Sequence, residues 1–242
     1  SEKSLGNGLP DDITPLAVVL IKDKLRENVN DTINYFKEQG VALKVISGDS
    51  VKTVQNIAKD TGITGAENAI DMTTVKTQEE LEKAAENCSV FGRVTPQQKK
   101  QLVIALKKKG HSVAMTGDGV NDVLALKEAD CSIAMAAGSD AARNVSQLVL
   151  VNNDFASMPG VVAEGRRTIN NLERSSALYI VKTIYTIILS VFFIFFHMPY
   201  PFEPIHFSLV GALTVGLPSF VLALQPNKNR IKGNFTYNII AR

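Results

Sequence analysis

Over its first 151 residues the chain alternates short unbroken apolar runs with stretches in which apolar residues recur at three- and four-residue steps. The runs are LAVVLI (16–21), VALKVISGD (41–49), SVFGRV (89–94), HSVAMTGDG (111–119), CSIAMA (131–136) and LVLV (148–151). Continuous apolar runs of this length predict strands buried on both faces, as in a parallel sheet. Between them, Leu25, Val29, Ile33 and Phe36 predict an amphipathic helix closed by Gly40, and Val51, Val54, Ile57 and Ala58 a second one closed by Gly62. QEELEKAAEN (78–87) reads as a third, after a polar stretch (65–80) read as a surface excursion. A fourth begins with Thr95 as N-cap and Pro96 at its first position, turns Leu102, Val103 and Leu106 inward, and stops at Gly110. VNDVLALKEAD (120–130) predicts a short helix. Strands alternating with helices imply an α/β fold, a parallel sheet with right-handed crossovers, whose strand-end loops converge on a ligand crevice.

Beyond about residue 155 the pattern changes. A helix from about Ala156 to Arg174 runs without a Gly or Pro break into LYIVKTIYTIILSVFFIFF (178–196), and a second apolar run follows at 205–224. Each has the ~20 residues a bilayer-spanning helix needs, and Phe192, Phe193, Phe195 and Phe196 leave the first no polar face. Arg166, Arg167 and Arg174 precede the pair, and Lys228, Arg230 and Lys232 follow it, whereas HMPYPFEP (197–204) between them has no Lys or Arg. The positive-inside rule therefore puts both ends in the cytoplasm. The expected organisation is a soluble domain (1–155), a stalk helix (156–177), a membrane helix (178–196), an extracytoplasmic loop (197–204), a second membrane helix (205–224) and a cytoplasmic tail (225–242).

Composition narrows the classes. The 242 residues are 45% hydrophobic with a net charge of +2, which excludes a disordered chain and argues against a nucleic-acid binder. Cys88 and Cys131 match no metal-ligand spacing. The chain starts at Ser1 rather than Met and is expected to be a piece of something longer.

The candidate chemistry lies at strand ends. In Thr116-Gly117-Asp118-Gly119-Val120-Asn121-Asp122, two glycines allow a tight turn and two carboxylates flank a helix start. That pair suits Mg²⁺ bridged to phosphate, the alternative being an Asp-Gly turn with an N-cap Asp. Ile46-Ser47-Gly48-Asp49 offers a small hydroxyl to a phosphoryl oxygen, or simply a turn and cap. Lys99 lies in the first turn of a helix, where the dipole disfavours a cation; it is either functional or part of a solvated face with Lys100 and Lys107 to Lys109.

Taken in this order, ISGD, RVTPQQK and TGDGVND followed by ALKEADCSIAMA resemble the haloacid dehalogenase superfamily and, within it, the cation-transporting P-type ATPases. The resemblance spans nearly the whole chain and implies an ATP-driven pump cycling through an aspartyl-phosphate, with Mg²⁺ and ATP as cofactors. It implies that Asp118 ligates Mg²⁺, with Asn121 and Asp122 shaping the loop and Asp122 a second metal candidate. Ser47 would bind the phosphoryl group, Lys99 neutralise it, and Gly48, Asp49 and Arg93 lie near the nucleotide. The sequence departs from the pattern in one decisive respect: it has no Asp-Lys-Thr-Gly-Thr nucleophile segment, and Lys22-Asp23-Lys24-Leu25 lacks the hydroxyl and glycine. The nucleotide-binding insert and actuator domain are absent too, so the missing remainder of the polypeptide is an expected partner, together with ATP, the cation and the bilayer.

Polar residues in an apolar span are functional candidates. Lys182, Thr183, Thr186 and Thr214 are expected on a transport pathway, although the threonines could bond the preceding turn and Lys182 could snorkel. The expected ion is calcium by family resemblance, with potassium, magnesium or a non-classical substrate as alternatives. Two other readings remain: a soluble phosphatase of the same superfamily, and a non-catalytic membrane-anchored module binding Mg²⁺ or phosphate.

Overall fold

In the computed structural model, residues 17, 28–197, 199–231 and 233–240 are described. The LAVVLI run, Leu25 and the Lys22-Asp23-Lys24 segment lie outside them, apart from Ala17. Helix α1 (Val29–Glu38) is followed by β1 (Val45–Ile46), α2 (Val51–Asp60), β2 (Ala69–Asp71), α3 (Gln78–Asn87), β3 (Val90–Gly92) and α4 (Pro96–Lys108). Next come β4 (Ala114–Gly117), a 3₁₀ turn (Val120–Asp122), α5 (Val123–Glu128), β5 (Cys131–Met135), α6 (Asp140–Val145) and β6 (Leu148–Leu150).

All strand pairs are parallel, as expected; among the described residues they form two three-stranded ladders, β1-β3-β2 and β4-β5-β6. Among the described residues no ladder joins β1 to β4, so each has a partner on one side only. VALKVISGD yields two strand residues: Val45 donates to Ser89, just before β3, and Ser47 to Phe91 on β3, and no strand pairs with the other edge among the described residues. In the polar stretch read as a surface excursion, Ala69–Asp71 instead adds a strand to β3. Two apolar positions are too few to produce a visible run.

Helix α4 unites the halves. Its Leu102 and Ala105 pack with Phe91, Met72 and Leu81 beside the first sheet, whereas Val103 packs with Met115, Leu126 and Ala134 beside the second. Each fully buried side chain of this size contributes about 1.5–3 kcal/mol. The helix starts where Thr95 predicts: the Thr95 hydroxyl accepts the Gln98 amide, and the Gln98 carboxamide oxygen accepts the Thr95 N–H at 3.0 Å. Gly40, Gly62 and Gly110, after three of the helices, all take positive φ, as a left-handed C-terminal turn requires.

Helix α7 (Met158–Phe195) is 38 residues long, roughly 57 Å at the standard rise. It is seated on the domain through Met158, packed with Ile133 and Leu150, and runs uninterrupted through the expected stalk boundary. After the connection come α8 (Pro204–Gly211), a π-helical turn (Ala212–Gly216) and α9 (Leu217–Leu224). The π turn has a local cause: Pro218 has no N–H for the Thr214 carbonyl, and the Leu217 N–H instead reaches back to Ala212. The segments Phe155–Phe195 and Pro204–Leu224 are long and apolar enough to cross a membrane. The tail does not trail away; it folds back along α7 and ends in α10 (Phe235–Ile240).

Candidate active site

Because all strands in a sheet run parallel, β1, β2 and β3 deliver their following loops to one end, as do β4 and β5. At the end of β4 the chain turns at Gly117, where a Cβ would lie 2.5 Å from Asp122 Cβ. Only glycine lets the 3₁₀ turn fold back so tightly. The Asp122 carboxylate accepts the Gly119 N–H at 3.2 Å and meets Lys99 Nζ at 2.7 Å, with both side chains only 11% exposed. The choice left open for Lys99 is therefore decided against a solvated face. The capped first turn of α4 aims it inward, and a buried counter-charge offsets the unfavourable dipole and desolvation.

Asp118 is different. It is exposed, and no hydrogen bond or ion pair engages its carboxylate among the described residues. Its carbonyl accepts the Ser139 N–H at 2.7 Å, and Gly138 allows that approach, since a Cβ there would be 2.7 Å from the same oxygen. Asn121 is exposed beside it. Among the described residues no group of three or more His, Cys, Asp or Glu gathers as a metal cage. An unengaged carboxylate at a loop of backbone amides fits Mg²⁺, which keeps waters and takes phosphate oxygens; it does not fit a closed structural site. Asp122, with one oxygen on Lys99 and the other on Gly119, is arranged to orient the ammonium.

The loops after β1 and β3 are bound to each other. Arg93 N–H donates to the Asp49 carbonyl at 2.8 Å and Val94 N–H to the Ser47 carbonyl at 3.0 Å. The Ser47 hydroxyl donates to Asp49 at 3.1 Å, beside exposed Gly48. Arg93 itself is left-handed at φ 52°, a costly conformation for a side-chain-bearing residue. Gly92 before it presses on Val51, which a Cβ would meet at 2.6 Å. Arg93 Nε lies 3.8 Å from Asp71 at the end of β2. The Asp71 carboxyl is held below its ordinary range by the Thr73 hydroxyl and amide, and then by Arg93. Asp71 was not visible as a candidate, because its strand was not. The loops after β1, β2 and β3 thus carry a hydroxyl, two carboxylates and one guanidinium, and the turn after β4 holds the buried Lys99–Asp122 pair.

A family model for haloacid dehalogenase-like hydrolases matches residues 4–130. The chain belongs to that family. Among curated relatives, this haloacid dehalogenase-like chain is 43% identical to the calcium-transporting ATPase CtpE of Mycolicibacterium smegmatis, over 96% of its own length and 30% of the relative's. It is 35% identical to a calcium-transporting ATPase of Bacillus subtilis, over 91% of its length and 25% of that protein's. It thus spans under a third of the length of each. A zinc-transporting PIB-type ATPase solved in an E2.Pi state shares the fold over 85% of this chain and 28% of that one, with TM-score 0.64 and 19% identity.

In the hairpin of this haloacid dehalogenase-like chain, the threonine hydroxyls bond the preceding turn. Thr183 donates to Tyr179, Thr186 to Lys182 and Thr214 to Val210, at 2.9, 2.9 and 2.6 Å. Thr183 and Thr214 lie on exposed faces, and Thr186 is half-buried. Lys182 packs across the seam against Gly211, where a Cβ would lie 2.5 Å from its Nζ. The Tyr185 and Ser219 hydroxyls are buried without a hydrogen-bond partner among the described residues.

Proposed function

We propose that this chain is the phosphorylation-domain, stalk and membrane-hairpin portion of an ATP-driven cation pump that cycles through an aspartyl-phosphate. One observation carries the reading: a buried lysine–aspartate pair and an unengaged aspartate share the strand ends of a domain whose last helix continues, unbroken, into an apolar span. A soluble phosphatase accounts for the first half of that observation and leaves the second unexplained.

The residue roles follow from the chemistry of each position. The Ser47 hydroxyl and Gly48 amide are suited to donate to phosphoryl oxygens. Lys99, fixed by Asp122, supplies a positive charge that needs no reorganisation when phosphoryl charge develops. Asp118 would hold Mg²⁺ with the backbone of the Asn121 loop, and the ion, when bound, neutralises phosphate charge. Arg93 and Asp49 are suited to the ATP ribose and phosphates. The nucleophilic aspartate would come from the remainder of the polypeptide, so this chain alone does not phosphorylate itself.

The transported ion is proposed to be calcium, as the names of the relatives indicate for those proteins. Calcium takes six to eight oxygen ligands. Neither apolar run, 178–196 or 205–224, contains Asp or Glu, so hydroxyls and the Thr214 carbonyl freed by Pro218 would need ligands from further helices. The protein is proposed to be a multi-pass membrane protein with its phosphorylation domain in the cytoplasm.

In the full-length polypeptide, Asp118→Asn is expected to abolish phosphoenzyme formation from ATP while the protein still resists alkaline extraction from membranes. A wild-type level of phosphoenzyme would remove Asp118 from the metal site, and release of the unmodified chain by alkali would remove the membrane assignment. Uptake of radiolabelled calcium into sealed vesicles, absent in that variant, tests the ion.

A further inference from the structure

Asp71 stands on a firmly tied loop, although its strand is only three residues long. The next residue, Met72, is fully buried and packs with Phe91 and Leu102. Its N–H donates to the Gly92 carbonyl at 3.0 Å, and its carbonyl accepts Gln98 Nε2 at 2.9 Å. The Asp71 carbonyl accepts the Thr74 N–H and hydroxyl at 3.0 and 2.7 Å. The loop is thereby fastened to β3 on one side and, on the other, to the first turn of α4, which carries Lys99.

The carboxylate is fixed as firmly as its backbone. Oδ1 accepts both the Thr73 N–H at 3.0 Å and the Thr73 hydroxyl at 2.6 Å. Those two bonds complete a loop cap by themselves and use one oxygen. The other, Oδ2, lies 3.8 Å from Arg93 Nε. At that distance, with 58% of the arginine side chain exposed, the pair contributes little to folding. Its geometry serves the arginine instead. The Arg93 backbone is pinned in its left-handed turn by the N–H bond to the Asp49 carbonyl. Among the described residues, Asp71 is the one carboxylate that engages its guanidinium. The contact is made through Nε, so both terminal nitrogens keep their donors for a ligand.

We infer that Asp71 is a positioning residue: with Oδ1 anchored on Thr73, its Oδ2 holds the Arg93 guanidinium by the Nε edge and leaves the terminal nitrogens to the nucleotide. This deepens, and rests on, the reading of Arg93 as a nucleotide contact. Holding the side chain in advance reduces the ordering cost that a long, exposed arginine otherwise bears when its ligand binds. Asp71 acts only through Arg93, so its loss weakens ATP binding and leaves the maximal extent of phosphorylation unchanged.

The test uses the full-length polypeptide in membranes and two readouts. One is equilibrium binding of radiolabelled ATP without Mg²⁺, where no phosphoryl transfer intervenes; the other is phosphoenzyme formed from ATP with Mg²⁺. Asp71→Asn keeps an oxygen for the Thr73 donors and removes the charge facing Arg93. It is expected to raise the ATP dissociation constant, and the half-saturating ATP for phosphorylation, about threefold. The phosphoenzyme plateau should not change. Arg93→Ala should raise both quantities about tenfold. Adding Asp71→Asn to Arg93→Ala should change neither by more than about 1.5-fold, because the side chain it positions is gone. A structural role for Asp71 predicts instead a further threefold loss in the double variant, or a lowered plateau with an unchanged dissociation constant; either result overturns the inference. Unaltered ATP binding in Asp71→Asn or in Arg93→Ala overturns it as well. If binding follows the expected pattern but the unmodified protein never forms phosphoenzyme, the inference stands and the pump reading falls.

Discussion

Replacing Asp122 by Ala strips a buried ammonium of its counter-charge. Lys99 and Asp122 meet at 2.7 Å with 11% of each side chain exposed, so little solvent is available to take over. Removing one member of such a pair costs about 3–5 kcal/mol when fully buried, and about 2–3 kcal/mol after allowance for the residual exposure. The Gly119 N–H loses its acceptor as well, adding about 1 kcal/mol. A loss of about 3 kcal/mol corresponds to a fall in midpoint of roughly 6–12 °C for a domain of this size. The Cys131 thiol on β5, partly buried, offers a local reporter: its labelling after heat pulses measures unfolding of the second sheet independently of the membrane helices. Lys99→Met should cost a similar amount. Lys99→Met combined with Asp122→Leu should recover most of the loss, because two apolar side chains leave no charge to desolvate, yet remain inactive in phosphoryl transfer. Additivity of the two single variants, or a fall of less than 2 °C in Asp122→Ala, would refute the claim that this pair is a buried, coupled unit.

Three further outcomes follow from local geometry. Gly117→Ala should lose stability comparably to Asp122→Ala in the same Cys131 assay, since its Cβ would meet Asp122 Cβ and Cγ at 2.5 and 2.8 Å. The start of α3 should loosen in acid: the Lys76 and Thr77 N–H groups hold the Glu80 carboxyl below its ordinary 4.5. A depressed carboxyl stabilises fully above its unfolded value and loses that contribution as pH falls through the folded one. Amide exchange at Lys76 and Thr77, corrected for the intrinsic rate, should therefore rise only below pH 4.5. Gly211→Ala should displace the Lys182 ammonium, a flexible side-chain end, rather than distort the helices. Increased modification of Lys182 by an amine-reactive probe at unchanged thermal midpoint would register it.

Much of the architecture is legible along the chain because it depends on local rules. The cap at Thr95, the glycines at 40, 62 and 110, and the apolar runs of β3 to β6 each act within a few residues. Thr95 and Pro96 mark the start of α4 to the residue. Where an element depends on a distant partner, the pattern fails. Ala69–Asp71 is a strand only because β3 lies beside it, and the seven residues of VALKVISGD outside Val45–Ile46 join no strand among the described residues. Asp71 was missed as a site residue for the same reason, as was α10, whose six residues make no independent amphipathic signal.

The order of residues by itself determined the alternation of strands and helices, the glycine turns at the strand ends, and two apolar spans continuous with the soluble domain, because periodicity, capping and hydrophobic length are properties of neighbours in the chain. Tertiary packing alone decided that Lys99 is buried on Asp122, that Asp118 remains unengaged among the described residues, and that Asn170 and Asn171 hold the chain beyond α9. Charge and hydrogen-bonding groups take their roles from whatever is brought within about 3 Å of them, and residues 23 to 59 positions apart are brought together only by the fold.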